Sequence, residues 1–359
     1  MTLFRSIMIL FFAVLNATAQ SFISSSFQDL FYTDMKSGVA CYRIPALTTA
    51  PDGSLLAAID ERVPSCKDLG QNPDINIVIR KSNNNGKDWS PVESVVDFPF
   101  GESASDPSFI VDEQTGSVFL FYNYMNHHVE KDRYRFQYVV SKDNGNIWSA
   151  PVDITDQISK PEWNKIFVFV TSGNGIQTQD GKLIHTLVNV GEKSGFVFGS
   201  ADHGNTWFLI DKALNPADES KLVELSDGRW MLNARVNGLG KRYVHITADQ
   251  GKTWSSHQAE DLEDPGCNAA ILKTPDKKHL KRNSTLYFIN PASSSARNNL
   301  TLKISSDDGK IWKSVQTIYE GSSAYSSATF LNNGDLAIFF ERDNYSKNSF
   351  IIIPARLIY

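Results

Sequence analysis

Along nearly its whole length the chain alternates short apolar, β-branched runs with polar turns. INIVIRKS (Ile75 to Ser82) and FQYVVSKD (Phe136 to Asp143) have the alternation and branching of strands. Both runs lead into a turn of the same design. SNNNGKDW from Ser82, SKDNGNIW from Ser141, SADHGNTW from Ser200, TADQGKTW from Thr247 and SSDDGKIW from Ser305 share the frame [ST]x[DN]xGxxW. Their starts lie 59, 59, 47 and 58 residues apart. Each fixed place has a physical reason. The third-position Asp or Asn bonds nearby backbone amides, the Gly supplies a positive φ, and the Trp returns the chain to a packed layer. A period near 50 residues in a chain of strands predicts propeller blades of four strands each.

Dividing the chain after residue 19 by a blade of about 50 to 60 residues gives six blades. The expectation is therefore an all-β, six-bladed β-propeller forming one domain from Gln20 to Tyr359. Five blades carry the repeated turn; the sixth lacks it and joins the chain ends, which removes exposed sheet edges. The repeats also settle how SADHGNTW is read. Alone, Ser200, Asp202 and His203 suggest a catalytic triad, but Asn85, Asn144, Gln250 and Asp308 stand in place of His203 in the other copies. The motif is therefore read as a structural turn. The first copy has Asn84 where the others have Asp, so its turn is expected to survive on an uncharged bond.

The first residues change the picture of location. MTLFRSIMILFFAVLNATA has Arg5, an apolar run from Ile7 to Leu15, and Ala17 and Ala19 in an AxA arrangement. This reads as a signal peptide over 1–19, cleaved before Gln20, with a run too short for a membrane anchor. The protein is expected to be exported, periplasmic or extracellular, without membrane insertion. Its hydrophobic content of 41% and aromatic content of 11% suit a packed β-rich protein. A formal net charge of −5 argues against nucleic-acid binding, so local arginines must meet any anionic ligand. The basic run Asp276 to Arg282 reads as a solvated loop. Cys41, Cys66 and Cys267 allow at most one disulfide. No CxxC or HExxH occurs, and His127 and His128 have no evident ligand companions, so neither metal nor other cofactor is expected. A monomer is expected.

The stretch CYRIPAL, Cys41 to Leu47, followed by several of the repeated turns, resembles the exo-sialidases (neuraminidases) of bacterial and animal type, whose turn signature is the Asp box. The resemblance covers nearly all of the chain after residue 19 and implies a site. Arg43, Arg235 in DGRWMLNAR and Arg297 in NPASSSARNNL match the three carboxylate-binding arginines. Glu341 in IFFER matches the glutamate that holds the first of them. Tyr325 in SSAYSSATF matches the nucleophile, and Glu219 in NPADESKLVELSDGRW matches the base that pairs with it, with Glu224 as its rival. Asp68 in SCKDLGQNPD matches the acid/base aspartate on a water-excluding loop, with Asp74 as the alternative. Arg62 in DERVP matches a further arginine near the sugar's ring substituents, and Asp106 in SDPSFIVD is a candidate substrate contact.

These residue types fit the implied substrate. A sialic acid carries its carboxylate on the anomeric carbon, and arginine's planar fork grips a carboxylate through two parallel hydrogen bonds. A carboxylate nucleophile would meet the substrate's own charge, whereas a neutral tyrosine avoids it. The phenol then needs a base to take its proton. The resemblance implies a retaining exo-sialidase acting on sialylated glycans through a covalent tyrosyl–sialyl intermediate. Alternatives are a trans-sialidase, an intramolecular enzyme giving an anhydro product, and a sialoglycan-binding propeller without catalysis.

Overall fold

The computed structural model describes residues 27–358, apart from 132, 164–165 and 276–283. The expected signal peptide and the basic run Asp276 to Arg282 lie outside the described residues. Strand dominates, with only a four-residue α-helix, Thr155–Ile158, and three short 3-10 turns among the described residues. Ile75–Ser82 and Arg135–Ser141 are strands, as their alternation predicts.

The hydrogen-bond ladders of the described residues form five sheets. Cys41–Thr49, Leu55–Arg62, Ile75–Ser82 and Glu93–Val96 make one antiparallel meander, and Ser220–Glu224, Trp230–Ala234, Lys241–Thr247 and Ser255–Glu263 make another. Two five-stranded sheets lie between them in sequence. Glu102–Asp112, Ser117–Asn126, Arg135–Ser141 and Val152–Asp153 add Gly173–Asn174 in parallel beside Ser108 and Phe109. Val168–Val170 and Ile176–Gln177 share the edge of Leu183–Asn189, which continues through Ser194–Ser200 to Phe208–Leu214.

The last sheet has seven strands, so the count differs from six separate blades: four sheets stand alone and one is larger. The cause is the 18-residue strand Lys313–Phe330, whose first half pairs with Asn298–Ser305 and whose second half pairs with Leu336–Arg342. The N-terminal strand Gln28–Tyr32 completes this sheet against Lys347–Ile353, joining the two ends of the described chain.

The innermost strands close a propeller-like ring. Cys41–Thr49 packs against both Glu102–Asp112 and Lys313–Phe330, and Ser220–Glu224 packs against Leu183–Asn189 and Ala270–Lys273. Buried on both faces, these segments are apolar over several successive residues, as in Ala46–Leu47 and Leu222–Val223. Leucine, isoleucine, valine and phenylalanine clusters fill the gaps between neighbouring sheets.

The five repeated turns share one geometry. The Ser or Thr hydroxyl accepts the glycine N–H at 2.8 to 2.9 Å, in Ser82–Gly86, Ser141–Gly145, Ser200–Gly204, Thr247–Gly251 and Ser305–Gly309. The Asp or Asn carboxyl or amide oxygen accepts a second N–H four residues on, including the Asn84 oxygen from Asp88 at 2.9 Å. Glycine φ values run from 76° to 92°, and the residue before each glycine also has positive φ, from 56° to 59°. That second left-handed place explains the Asn, Asn, His, Gln and Asp found there, since short polar side chains tolerate it best. A Cβ on Gly204 would come within 2.5 Å of Phe119 in the preceding sheet, so the turn needs glycine for close approach as well as for φ.

Candidate active site

The chemistry gathers where the inner strands begin, at one mouth of the ring. Three of those strands carry a register shift at this level: between Arg43 and Ala46, between Ser105 and Ser108, and between Ser323 and Ser326. Ile44 and Asp106 sit inside two of them at φ 67° and 64°. A bulge turns side chains out of the regular alternation, and here the three present Arg43, Asp106 and Tyr325.

Arg43, Arg235 and Arg297 form one cluster. The Arg43 Nε donates to Glu341 at 2.7 Å, and Glu341 is fully buried. The same carboxylate accepts the Ile44 and Tyr325 backbone N–H groups at 3.0 and 3.1 Å, so one side chain fixes both bulges. Burial opposes the charge on Arg43, yet Glu341 beside it holds its pKa above the ordinary arginine value. Arg235 is ion-paired with Glu219, donates to the Tyr325 hydroxyl at 3.1 Å, and is steadied by Asn237 at 2.7 Å. Arg297 lies over the Tyr325 ring, 5.4 Å from its centroid, and donates to the Gly266 carbonyl at 2.7 Å.

Tyr325 and Glu219 meet directly: the phenol donates to the Glu219 carboxylate at 2.5 Å across 106 residues of sequence. Burial and the adjacent Glu219 push the phenol well above its usual value, with Arg235 and Arg297 opposing, so the resting hydroxyl is neutral. A phenol held against a carboxylate in a cationic surround is the arrangement that nucleophilic chemistry requires. The rival Glu224 lies at the far end of the strand Ser220–Glu224 that follows Glu219, where it accepts the Gln179 N–H at 2.8 Å.

A second network flanks the first. Arg62, 1% exposed, lies between buried Asp60 at 3.0 Å and Asp68 at 2.7 Å. Asp60 also accepts the Ser105 hydroxyl at 2.6 Å and the Asp106 N–H at 3.0 Å. Burial, against the pull of Arg62, pushes Asp60 up to about 6, and burial with Asp60 and Glu219 nearby raises Asp106 well above the usual carboxyl range. Asp106 further accepts the Asn123 amide at 3.1 Å. A Cys41–Cys66 disulfide ties the loop bearing Asp68 to the strand bearing Arg43, while Cys267 is a buried free thiol.

Asp68 differs from the enclosed acid that the sequence reading expects: its side chain is 86% exposed and turned onto Arg62. Asp74, its alternative, serves the loop, carrying a backbone contact to Val63 and a 3.4 Å contact from Asn76. Arg62 is buried with its guanidinium held by both the Asp60 and Asp68 carboxylates. The sequence reading missed Asn123, Asn237 and Tyr345, which lie in no repeated frame or distinctive string, and passed over Asp60, the first residue of DERVP, in favour of Arg62 two places on. His127 and His128 stand apart: His128 is exposed and approaches the Phe100 carbonyl at 3.4 Å.

A ring of sheets whose mouth holds a tyrosine–glutamate pair among arginines defines a centre for an anionic ligand. The BNR repeat-like domain family matches residues 65–338. The sialidase of Micromonospora viridifaciens is 33% identical over 334 residues, 85% of this chain and 50% of the relative. That of Bacteroides fragilis is 30% identical over 332 residues, 84% of this chain and 60% of the relative. Among solved structures, the Hadza microbial sialidase Hz136 superposes with a TM-score of 0.78 at 28% identity, covering 88% of this chain and 66% of that one. The chain belongs to the sialidase family of BNR-repeat proteins. It spans about half the length of the first of these curated relatives and 60% of the second.

Proposed function

We propose that the protein is a retaining exo-sialidase that releases terminal sialic acids from glycoproteins, glycolipids or oligosaccharides. The contact that carries this reading is the 2.5 Å bond from Tyr325 to Glu219 inside the cluster of Arg43, Arg235 and Arg297. The arginines receive the substrate carboxylate and so fix the anomeric carbon over the phenol. Glu219 takes the phenol proton as the Tyr325 oxygen bonds to the anomeric carbon and the glycosidic C–O bond breaks. Asp68 donates a proton to the departing oxygen. In the second half Asp68 takes a proton from water, the water oxygen displaces Tyr325, and Glu219 returns the phenol proton, so two inversions retain configuration. The guanidinium cluster, fixed in advance by Glu341, Glu219 and Asn237, holds the carboxylate and so the anomeric carbon in one place throughout the reaction. Arg62 and Asp106 serve the ring substituents.

The same reading assigns six blades in one domain. The seven-stranded sheet counts as two, folded back across Lys313–Phe330 so that an apolar cluster including Tyr287, Leu302, Ile338 and Ile351 fills the space between its halves. The five turns are Asp boxes. Export is the matching location, since a Cys41–Cys66 disulfide persists in oxidising compartments. The acceptor is water, with transfer to another sugar or to the sialic acid's own hydroxyl as the alternative.

A fluorogenic sialoside assay over about pH 4 to 8 tests the reading. Turnover releasing free sialic acid is expected. A folded protein that binds a sialoside without turnover would sink the enzyme, and a transferred or anhydro product would replace hydrolysis by transfer.

A further inference from the structure

The hairpin between Leu336–Arg342 and Lys347–Ile353 ends in an unusual turn. Asp343, Asn344 and Tyr345 follow one another with φ of 52°, 54° and 69°. One non-glycine residue in this region is uncommon, and a bulky aromatic one is costly, so three in succession must be held by their surroundings. They are. The Asp343 carboxylate takes Arg342 at 2.7 Å and the Tyr319 hydroxyl. The Asp343 and Asn344 N–H groups donate to the Ser322 carbonyl and hydroxyl at 2.9 and 3.2 Å. The Ser346 carbonyl accepts the Thr33 N–H at 2.9 Å.

What this turn delivers is Tyr345. Its ring lies 4.0 Å from the Arg43 guanidinium carbon, and its hydroxyl accepts Arg297 at 3.3 Å. The turn and Arg297 share a support, since Ser323 donates its N–H to the Arg297 carbonyl at 2.9 Å and Ser322 anchors Asp343 and Asn344. One side chain thus spans two arginines that come from opposite ends of the sequence.

The chemistry of the bridge matters as much as its place. A carboxylate there would fix the arginines but neutralise them, as Glu341 partly does for Arg43. An aromatic face and a phenol oxygen fix them while leaving the cationic charge for a ligand. We infer that Tyr345 is a positioning residue that locks Arg43 and Arg297 into a single carboxylate clamp. The inference rests on the sialidase reading for its ligand, and its effect falls on recognition of the carboxylate, not on the Tyr325 reaction.

The test is a comparison of wild type, Tyr345→Phe and Tyr345→Leu. KM and kcat are measured for a fluorogenic sialoside, and affinity for a sialic acid glycal is set against that for its methyl ester. Tyr345→Phe keeps the stacked face and is expected to raise KM about threefold. Tyr345→Leu loses both contacts and is expected to raise KM about 10- to 100-fold with kcat changed by less than about threefold. The preference for the free acid over the ester is expected to shrink in the same order, which general loosening of the fold would not produce. Equal loss of acid and ester affinity, a fall confined to kcat, or unchanged KM in Tyr345→Leu overturns the role. Should Tyr345→Leu fail to fold, Tyr345→Phe decides alone: no rise in KM and no loss of acid preference overturns the role. Wild type that neither cleaves the sialoside nor binds the glycal sinks the sialidase reading instead.

Discussion

The repeated turns and the mouth of the ring are built on opposite plans. Each turn is local: eight residues carry its own hydroxyl, carboxylate or amide, and glycine, and the hydrogen bonds that hold it span two to four positions. At the mouth, the bonds that matter join residues far apart, Arg43 to Glu341 across 298 positions and Tyr325 to Glu219 across 106. The turns are mostly exposed and are held mainly by bonds to backbone amides and hydroxyls, with His203 of one turn also reaching Asp112 of the preceding sheet; the mouth buries ion pairs and raises the pKa of Tyr325, Asp60 and Asp106. The contrast teaches that stability and chemistry are separable here. Damage to a turn should cost folding without changing the chemistry of the molecules that fold, and damage to the mouth should do the reverse.

The largest expected effect is at the proposed nucleophile. Tyr325→Phe removes one oxygen from the mouth and is expected to lower kcat by about 10³-fold or more with the melting temperature nearly unchanged. Steady-state kinetics beside thermal unfolding checks this, and turnover within about tenfold of wild type would exclude the assigned nucleophile.

Next comes Lys221, buried two residues after Glu219 and hydrogen-bonded to Asn268 at 2.7 Å. Glu219, Asp106, Arg242 and His185 are the ionisable groups around it. Burial lowers its pKa to about 7, with Arg242 adding and Glu219 opposing. The unfolded lysine, near 10.4, holds its proton over a range where the folded one has lost it, so stability rises with pH from about 7 to 10. Lys221→Met is expected to flatten that rise. Urea unfolding at several pH values reads it; a variant with the wild-type slope would contradict it.

A single turn should matter less. Asp202→Ala removes bonds to the Thr206 N–H at 2.9 Å, the Thr206 hydroxyl at 2.7 Å and the Ser200 hydroxyl at 2.8 Å. A loss of about 1 to 3 kcal/mol is expected in urea unfolding, with kcat per folded molecule unchanged. A fall in kcat without a fall in stability would break the separation of the two regions.

His203 gives the smallest effect and the sharpest one. Its Nδ1 shares a hydrogen bond with Asp112 of the preceding sheet at 2.8 Å, so it is more than a filler in its turn. Asp112 keeps Thr115 at 2.7 Å and Gln177 at 2.7 Å without it. His203→Ala is therefore expected to cost about 0.5 to 1.5 kcal/mol and to leave turnover intact. Any marked loss of turnover would reopen the triad reading of SADHGNTW.

Much of this plan is legible in the chain because the turns repeat. Ser82 and its four counterparts, the glycines and the flanking strands recur at a nearly fixed period, and a local motif needs no partner elsewhere to declare its geometry. The second left-handed residue of each turn was also visible, as the run Asn85, Asn144, His203, Gln250 and Asp308, but only as an absence of pattern. The candidate site residues were named through their likeness to a family, and the structure brings Arg43, Arg235, Arg297, Tyr325, Glu219 and Glu341 to one place.

What the sequence by itself determined was the local part: strands, turns, their period, and the residue types able to hold a carboxylate. Only the tertiary structure decided that one 18-residue strand serves two halves of a single sheet, that Asp68 stands open against Arg62, and that Asp60 lies against Arg62 and Tyr345 against Arg43. The physical reason is range. A turn is set by the φ preferences and hydrogen bonds of adjacent residues, whereas burial, ion pairing and bulges at the mouth depend on which distant strands the closing ring brings side by side.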